Sequence, residues 1–392
     1  MTDRLFTETL RAAVGDDLLS ARLSSDVIFT DLGPDAVRSL LTFDDLDEIL
    51  RTRELEPPRV RLHKRGKPVP AARYTEPGEA SGTARSVIRP EDFYRELREG
   101  ASLVMDAIDR LHPPVRAATD DLMRLVRERA QANLYLIWGD SHGFDTHWDD
   151  HDTFVVQLVG EKSWQVHGHG SRTYPMKVDA DHTHTPPEDT LWDGVLRPGQ
   201  VLHVPRGWWH TVRGTGGVSM HLTFGFTRAT GIDWARALLD RLQEVEFMRR
   251  DLPRFAAPDE RAKHHNELLR HLADAAKELD VDAFLDGRDA RFPRRRSFSL
   301  AWAVEGNVPG PDTRVEFVPL LTPPVEHDGT QVSVTVSGRR YRFPSVAEPV
   351  LAELARGREL TAGELAERSG TPMPLTAEVL RALVRHQLVL LR

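Results

Sequence analysis

The sequence predicts a mainly β chain: a barrel of short antiparallel strands, with helices before it and two smaller regions after it. Three observations carry that prediction. Residues 133–226 break into short runs rich in β-branched and aromatic side chains, separated by glycine-bearing turns. The residues before and after them place apolar side chains at helical spacing. Within the strand-rich part stand His147-Trp148-Asp149 and, beyond the intervening residues 150–209, His210 in Val204-Pro205-Arg206-Gly207-Trp208-Trp209-His210. A stretch of that length holds several short strands that fold back to close a barrel.

The first region, residues 1–228, opens with helical patterns over 35–41 and 43–50. A further helix starts at Pro90, where proline enters the first turn beside Glu91 and Asp92. Strands follow at 134–138, 153–159, 163–167, 201–204 and 218–226. The second region, 229–290, carries Ile232, Trp234, Leu238, Leu239 and Leu242, then Leu268, Leu269 and Leu272, as stripes of amphipathic helices. Such helices pack either on the barrel or on a second copy of the chain, and the second arrangement would make a homodimer. The third region, 291–392, begins at Phe292-Pro293-Arg294-Arg295-Arg296, read as a solvated linker. Alternating strands at 331–336 and 340–343 flank Ser337-Gly338, helical patterns start from Val346, Thr361 and Thr376, and a short apolar strand closes the region at 388–391. Three helices with short strands are compatible with a winged-helix fold.

At 392 residues the chain has room for two or three domains, and 40% hydrophobic with 29% charged residues is an ordinary globular composition. No run of about 18 apolar residues and no basic-then-apolar leader is present, so the expectation is a cytoplasmic protein without membrane contact. The absence of cysteine excludes disulfides, cysteine-held iron–sulfur clusters and thiolate zinc sites; any metal is held by histidine and carboxylate. A net charge of −8 argues against bulk nucleic-acid binding and suits a basic partner.

His147, Asp149 and His210 provide two imidazoles and one carboxylate, the facial triad of non-haem Fe(II) sites. That set leaves about three positions of an octahedral ion for a bidentate co-substrate and O2. In an extended strand His147 and Asp149 point one way and Trp148 the other. Among 17 histidines an H-x-D tripeptide alone says little; the strand from Thr153 and the strand before the Pro-Arg-Gly turn supply its context. His147 and His151 are also spaced as in helical zinc-protease sites, but those place a glutamate directly after the first histidine, where this chain has Trp148. After Gly160, Lys162, Trp164 and Val166 share one strand face. A lysine there either snorkels to solvent or pairs with a buried anion, of which the distal carboxylate of 2-oxoglutarate is one. The pairs His167/His169, His182/His184 and His264/His265 read as exposed residues of loops or a charged helix.

Taken together, Asn133-Leu134-Tyr135, His147-Trp148-Asp149, Gly160-Glu161-Lys162-Ser163-Trp164, the Pro-Arg-Gly-Trp-Trp-His turn and Ser219-Met220-His221-Leu222-Thr223 resemble the cupin-type JmjC oxygenases. The pattern is most similar to that of the ribosomal oxygenases, protein hydroxylases acting on ribosomal proteins. The resemblance implies a double-stranded β-helix (jelly-roll) barrel, then a helical dimerisation region and a C-terminal winged-helix domain. It implies that His147, Asp149 and His210 hold Fe(II), that Lys162 and Thr223 bind the 2-oxoglutarate carboxylate, and that Asn133 and Tyr135 line the co-substrate and substrate pocket. The activity implied is hydroxylation of an amino-acid side chain in a ribosomal protein or biosynthetic precursor peptide, using O2 and releasing succinate and CO2. Demethylation of an N-methyl group is the same chemistry. The alternatives are a small-molecule 2-oxoglutarate oxygenase and a non-catalytic cupin that binds DNA or protein through its winged helix.

Overall fold

The computed structural model describes all residues except 1–4, 15–22, 24–25, 81–82, 141–143, 178–184 and 358. They divide into two compact units, 1–228 and 229–392. The strands of the first unit are β1 (Ile28–Asp31), β2 (Val60–Lys64), β3 (Lys67–Pro68), the hairpin β4 (Thr75–Ala80) and β5 (Thr83–Ile88), β6 (Ser102–Met105), β7 (Ala130–Trp138), β8 (Asp152–Val159), β9 (Lys162–His169), β10 (Trp192–Leu196), β11 (Gln200–Val204), β12 (Trp208–Gly214) and β13 (Val218–Phe226). Its helices are α1 (Leu5–Val14), α2 (Pro34–Arg38), α3 (Phe43–Thr52), α4 (Pro90–Arg98) and α5 (Pro113–Val126). An eight-stranded antiparallel sheet runs in the order β1-β11-β8-β13-β7-β6-β2-β3, and a second sheet runs β10-β9-β12.

Period-2 alternation gives the large sheet two unlike faces. On one, Leu134 and Leu136 of β7, Phe154 and Val156 of β8, and Met220, Leu222, Phe224 and Phe226 of β13 pack with residues of the helices, among them Leu46, Phe93 and Leu122. Each fully buried leucine or phenylalanine contributes about 1.5–3 kcal/mol there. On the other face Val155, Leu202 and Val204 meet Trp164 and Val166 of β9, Leu196 of β10 and Trp208 of β12, so the small sheet closes over the large one. Buried Asp152 fastens the end of this layer: Arg228 donates from Nε at 3.0 Å and from an Nη at 3.1 Å to its two oxygens.

The second unit begins with α6 (Gly231–Leu242), α7 (Pro258–Glu278) and α8 (Val281–Ala290). Leu238, Leu242, Leu279 and Phe284 form their core, and the Trp234 indole donates to the Leu279 carbonyl at 2.7 Å. Then come α9 (Leu300–Ala303), β14 (Arg314–Phe317), β15 (Val325–His327), β16 (Gln331–Val336), β17 (Arg339–Pro344), α10 (Glu348–Leu354), β18 (Leu360–Thr361), α11 (Ala362–Ser369), α12 (Met373–Arg385) and β19 (Val389–Leu391). Two three-stranded sheets, β18-β14-β19 and β15-β16-β17, share one core with α10 to α12. Thr361 and Glu364 close a capping box at the start of α11. Among the described residues, no helix is long and apolar enough to cross a membrane.

Three expectations need correction. The residues before the barrel are not only helical: β1, β2, β3 and β6 extend the large sheet at both ends. Two- to five-residue strands interrupted by charges, such as Val60-Arg61-Leu62-His63-Lys64, have too little periodicity to declare themselves; pairing to neighbours makes them strands. The segment His147–Asp149 is not a strand, but is held by a single bridge to β12. His167 and His169 lie half-buried on β9 rather than exposed.

Candidate metal centre

The bridge from the His147 segment to β12 is what joins the two ends of the motif. The His147 N–H donates to the His210 carbonyl at 3.1 Å and the His210 N–H to the His147 carbonyl at 2.8 Å. Residues that exchange both bonds stand side by side with their side chains on one face; here the ring centroids are 4.3 Å apart. The Gly207 N–H donates to the Asp149 carbonyl at 2.8 Å, which fastens the other end of the tripeptide. Gly207 has φ +80°, and a Cβ there would lie 2.3 Å from Pro175 Cδ, so the Pro-Arg-Gly turn needs its glycine.

Asp149 Oδ2 lies 3.7 Å from His210 Nε2, and one ligand atom from each of His147, Asp149 and His210 falls within 4.8 Å of the others. The Nδ1 of His147 donates to the Asp145 carbonyl at 2.7 Å and that of His210 to the Trp208 carbonyl at 3.1 Å. With the proton assigned to Nδ1 in both rings, each presents an Nε2 lone pair, the orientation that outer hydrogen bonds impose on metal-ligating histidines. Burial and the neighbouring His147 hold His210 down at about 4, which keeps it neutral and able to coordinate. Burial alone raises the Asp149 carboxyl, but His210, His147 and His151 outweigh it and hold it below the ordinary carboxylate range. Two imidazoles and a carboxylate, with no sulfur, fit Fe(II).

Lys162 lies on the buried face of β9, and burial lowers its ammonium to about 7. Its Nζ is 3.2 Å from Nδ1 of His221 on β13. Thr223 pairs across β13 with Asn133 on one side and Val155 on the other, on the face opposite the helical core. Asn133 Oδ1 accepts from the Ala107 N–H at 3.0 Å and from Gln131 Nε2 at 2.9 Å. The Tyr135 hydroxyl is pushed up by burial, with the charges of Asp149 and Asp106 adding to the rise. All seven sequence-predicted residues therefore lie in the barrel layer, His147, Asp149 and His210 as one cluster.

Sequence reasoning gave no role to His221, Trp164 or Phe144. The His221 ring stacks on Tyr135 at 4.9 Å, Trp164 stacks on His210 at 5.8 Å, and Phe144 lies 5.8 Å from His147 and 4.6 Å from His63. His221 was findable, since it sits two residues before Thr223 on the same strand face; Phe144, in an irregular segment, carried no such signal. His151 bonds Asp150 at 3.0 Å and stands outside the cluster. His169 accepts the Trp208 indole N–H at 3.1 Å, and His264, half-buried on α7, lies against the Phe247 ring at 4.7 Å. His265 is exposed as expected, and His182 and His184 lie outside the described residues.

Residues 110–233 match the family described as JmjC domain. The chain contains a JmjC domain over those residues. The JmjC match contains all seven of the predicted residues. Human ribosomal oxygenase 1 is 29% identical over 227 residues, covering 55% of this chain and 34% of the relative. The bifunctional lysine-specific demethylase and histidyl-hydroxylase NO66 of Drosophila persimilis is 26% identical over 180 residues, covering 41% of this chain and 26% of the relative. The chain thus spans about a third or less of the length of these two relatives. The structure of YcfD, a ribosomal oxygenase from Escherichia coli, in complex with cobalt and 2-oxoglutarate superposes with a TM-score of 0.56 over 97% of this chain and 99% of that one. At 17% identity the match to YcfD bears on the fold alone, a large antiparallel sheet and a smaller one with their accompanying helices.

Proposed function

We propose that this JmjC-domain protein is an Fe(II)- and 2-oxoglutarate-dependent hydroxylase of a protein or peptide side chain. The observation that carries the proposal is the convergence of His147, Asp149 and His210, with both histidines held by backbone carbonyls so that Nε2 faces the cluster. His147, Asp149 and His210 would hold the metal. Lys162 and Thr223 would bind the distal carboxylate of 2-oxoglutarate, and Asn133 and Tyr135 would line the pocket beside it. Bound there with 2-oxoglutarate and O2, the iron supplies the oxidising power for C–H hydroxylation while 2-oxoglutarate becomes succinate and CO2. The chain's own contribution is positioning and exclusion of water. The two histidine–carbonyl bonds orient the ligand rings, Trp164 closes the space beside His210, and the depressed carboxyl of Asp149 stays ionised at neutral pH.

The names of the relatives point to ribosomal and histidyl substrates. A ribosomal protein is therefore the first substrate class to screen, and a precursor peptide the second. The remaining readings follow the same reasoning. Residues 229–290 form a dimerisation region, supported by the exposure of Leu239, Leu252, Phe255, Leu269 and Val281 around α6 to α8. Residues 291–392 form a winged-helix domain that docks the macromolecule, and the protein works in the cytoplasm.

The test is succinate formation from 2-oxoglutarate by the iron-loaded chain exposed to O2, beside the His147→Ala variant. Succinate well above the variant's level is expected, as is a mass gain of one oxygen on a ribosomal protein or peptide. Absence of succinate together with absence of 2-oxoglutarate binding by calorimetry overturns the proposal.

A further inference from the structure

The ammonium of Lys162 is buried with 5% of its residue surface exposed, and among the described residues no carboxylate lies within ion-pair distance of it. Its neighbours along the small sheet, Leu196 on β10 and Gly214 on β12, offer no charge. The contact it does make is to an imidazole, His221 Nδ1, at 3.2 Å. A protonated lysine only donates, so in this pair Nδ1 accepts and the imidazole proton resides on Nε2.

The ring is built into place. His221 is paired across the strands with Tyr135 and lies parallel to its ring, 4.9 Å away at 4°. Trp164 meets its edge at 5.8 Å and 78°. The register between β13 and β8 shifts at Met220/His221, an irregularity of the kind that re-aims a side chain without breaking the sheet. Burial, with the charge of Lys162 adding to it, holds the imidazole well below its ordinary range, so it stays a neutral acceptor.

We propose that His221 is a positioning residue for the co-substrate: by accepting one N–H of Lys162, it aims the remaining two at the distal carboxylate of a 2-oxo dicarboxylic acid. This rests on the 2-oxoglutarate reading given above. A flexible four-carbon stem has little reason to hold a charge at one point inside a barrel; a fixed ring that occupies one of its three donors supplies that reason. The role belongs to the distal end of the ligand, and the end that chelates the metal does not sense it.

The experiment uses the cobalt(II)-loaded full chain and two ligands, 2-oxoglutarate and 2-oxopentanoate. Both carry the metal-chelating 2-oxo acid, and only the first carries a distal carboxylate. Dissociation constants are read from the cobalt absorption bands and by calorimetry, independently of turnover. Wild-type protein is expected to prefer 2-oxoglutarate. His221→Phe, which keeps the stacking and removes the acceptor, is expected to lose about tenfold of that preference. His221→Asn, whose Oδ1 stands near the place of Nδ1, is expected to keep it to within about threefold, and 2-oxopentanoate binding is expected to stay the same in all three. If the phenylalanine variant does not fold, Asn against Gln puts the same question, because the longer amide displaces its oxygen from that place. A preference that survives in His221→Phe, or that falls equally in the Phe and Asn variants, overturns this inference alone. Wild-type protein that binds both acids equally overturns the 2-oxoglutarate reading and this inference with it.

Discussion

Leu222 and Thr223 are neighbours on β13 and face opposite ways. Leu222 is fully buried in the layer between the large sheet and the helices, beside Met220, Phe224 and the side chains of β7 and β8. Thr223 and His221 face the barrel layer, where β13 adjoins Asn133, Tyr135 and Lys162. One face is made of hydrocarbon whose value is the area it removes from water. The other is made of polar groups whose burial costs free energy unless each finds a partner. The difference teaches that a single strand divides its labour residue by residue. Stability and chemistry are therefore separable by substitution here, even between adjacent positions.

The largest separation is expected at the metal ligands. Asp149→Ala removes one of three protein ligands and should weaken cobalt(II) or iron(II) binding by more than about a hundredfold, while the far-ultraviolet circular dichroism of the chain stays that of the wild type. Metal titration against that spectrum checks both halves. On the other face, Leu222→Ala should lower the unfolding free energy by about 2–5 kcal/mol, because it leaves a cavity in a packed layer. Its folded fraction should still bind cobalt within about threefold of the wild type. Denaturant unfolding with and without metal measures this, and loss of metal binding in a still-folded Leu222→Ala protein would show that the faces are not independent.

Lys162 sharpens the comparison through pH. Burial lowers its folded, ligand-free value to about 7, and a bound dicarboxylate raises it again by pairing with the charged form. The complex thus holds a proton that the empty site gives up above about pH 7. Affinity for 2-oxoglutarate is fully present below that value and is lost as pH rises through the window up to the ligand-bound value, by up to about tenfold per unit. Lys162→Arg stays protonated throughout and should show a flat profile. Dissociation constants for 2-oxoglutarate, each divided by that for 2-oxopentanoate at the same pH, isolate the lysine from any titration at the metal.

Why the polar face was the more legible of the two in sequence follows from the same division. His147, Asp149, His210 and Lys162 are residue types that a barrel interior tolerates only for a reason, and their order and surroundings survive without knowledge of the fold. The strand β13 was legible too, with its bounds at Val218 and Phe226, because its nine residues alternate almost without exception. Strands β1, β2 and β3 were not, since two to five residues carry no period and their places toward the two ends of the sheet are decided by the strands they pair with. The local path at His147 was misread for a related reason. A tripeptide pinned by one bridge and one turn hydrogen bond shows its side chains much as a strand does, and nothing in its composition tells the two apart. His221 escaped for the opposite reason: its residue type was informative, but its role lies in a contact with Lys162 that sequence separation hides.

The smallest effect is expected at Thr223, where the two faces come closest to each other. Thr223→Val keeps the volume and β-branching that suit β13 and removes only the hydroxyl. Because the flanking Leu222 and Phe224 are untouched, unfolding free energy should change by less than about 1 kcal/mol, with no cavity made. If the hydroxyl donates to the distal carboxylate, its loss should weaken 2-oxoglutarate binding by about three- to tenfold and leave 2-oxopentanoate binding unchanged. That is smaller than the effect of His221→Phe, because Thr223 contributes one bond, whereas His221 orients the charged group itself. Equal weakening of both ligands would place Thr223 at the chelating end or in the general packing of the barrel. No weakening of either would leave its half-buried hydroxyl with a role in neither, and the strand's division of labour would then end at His221.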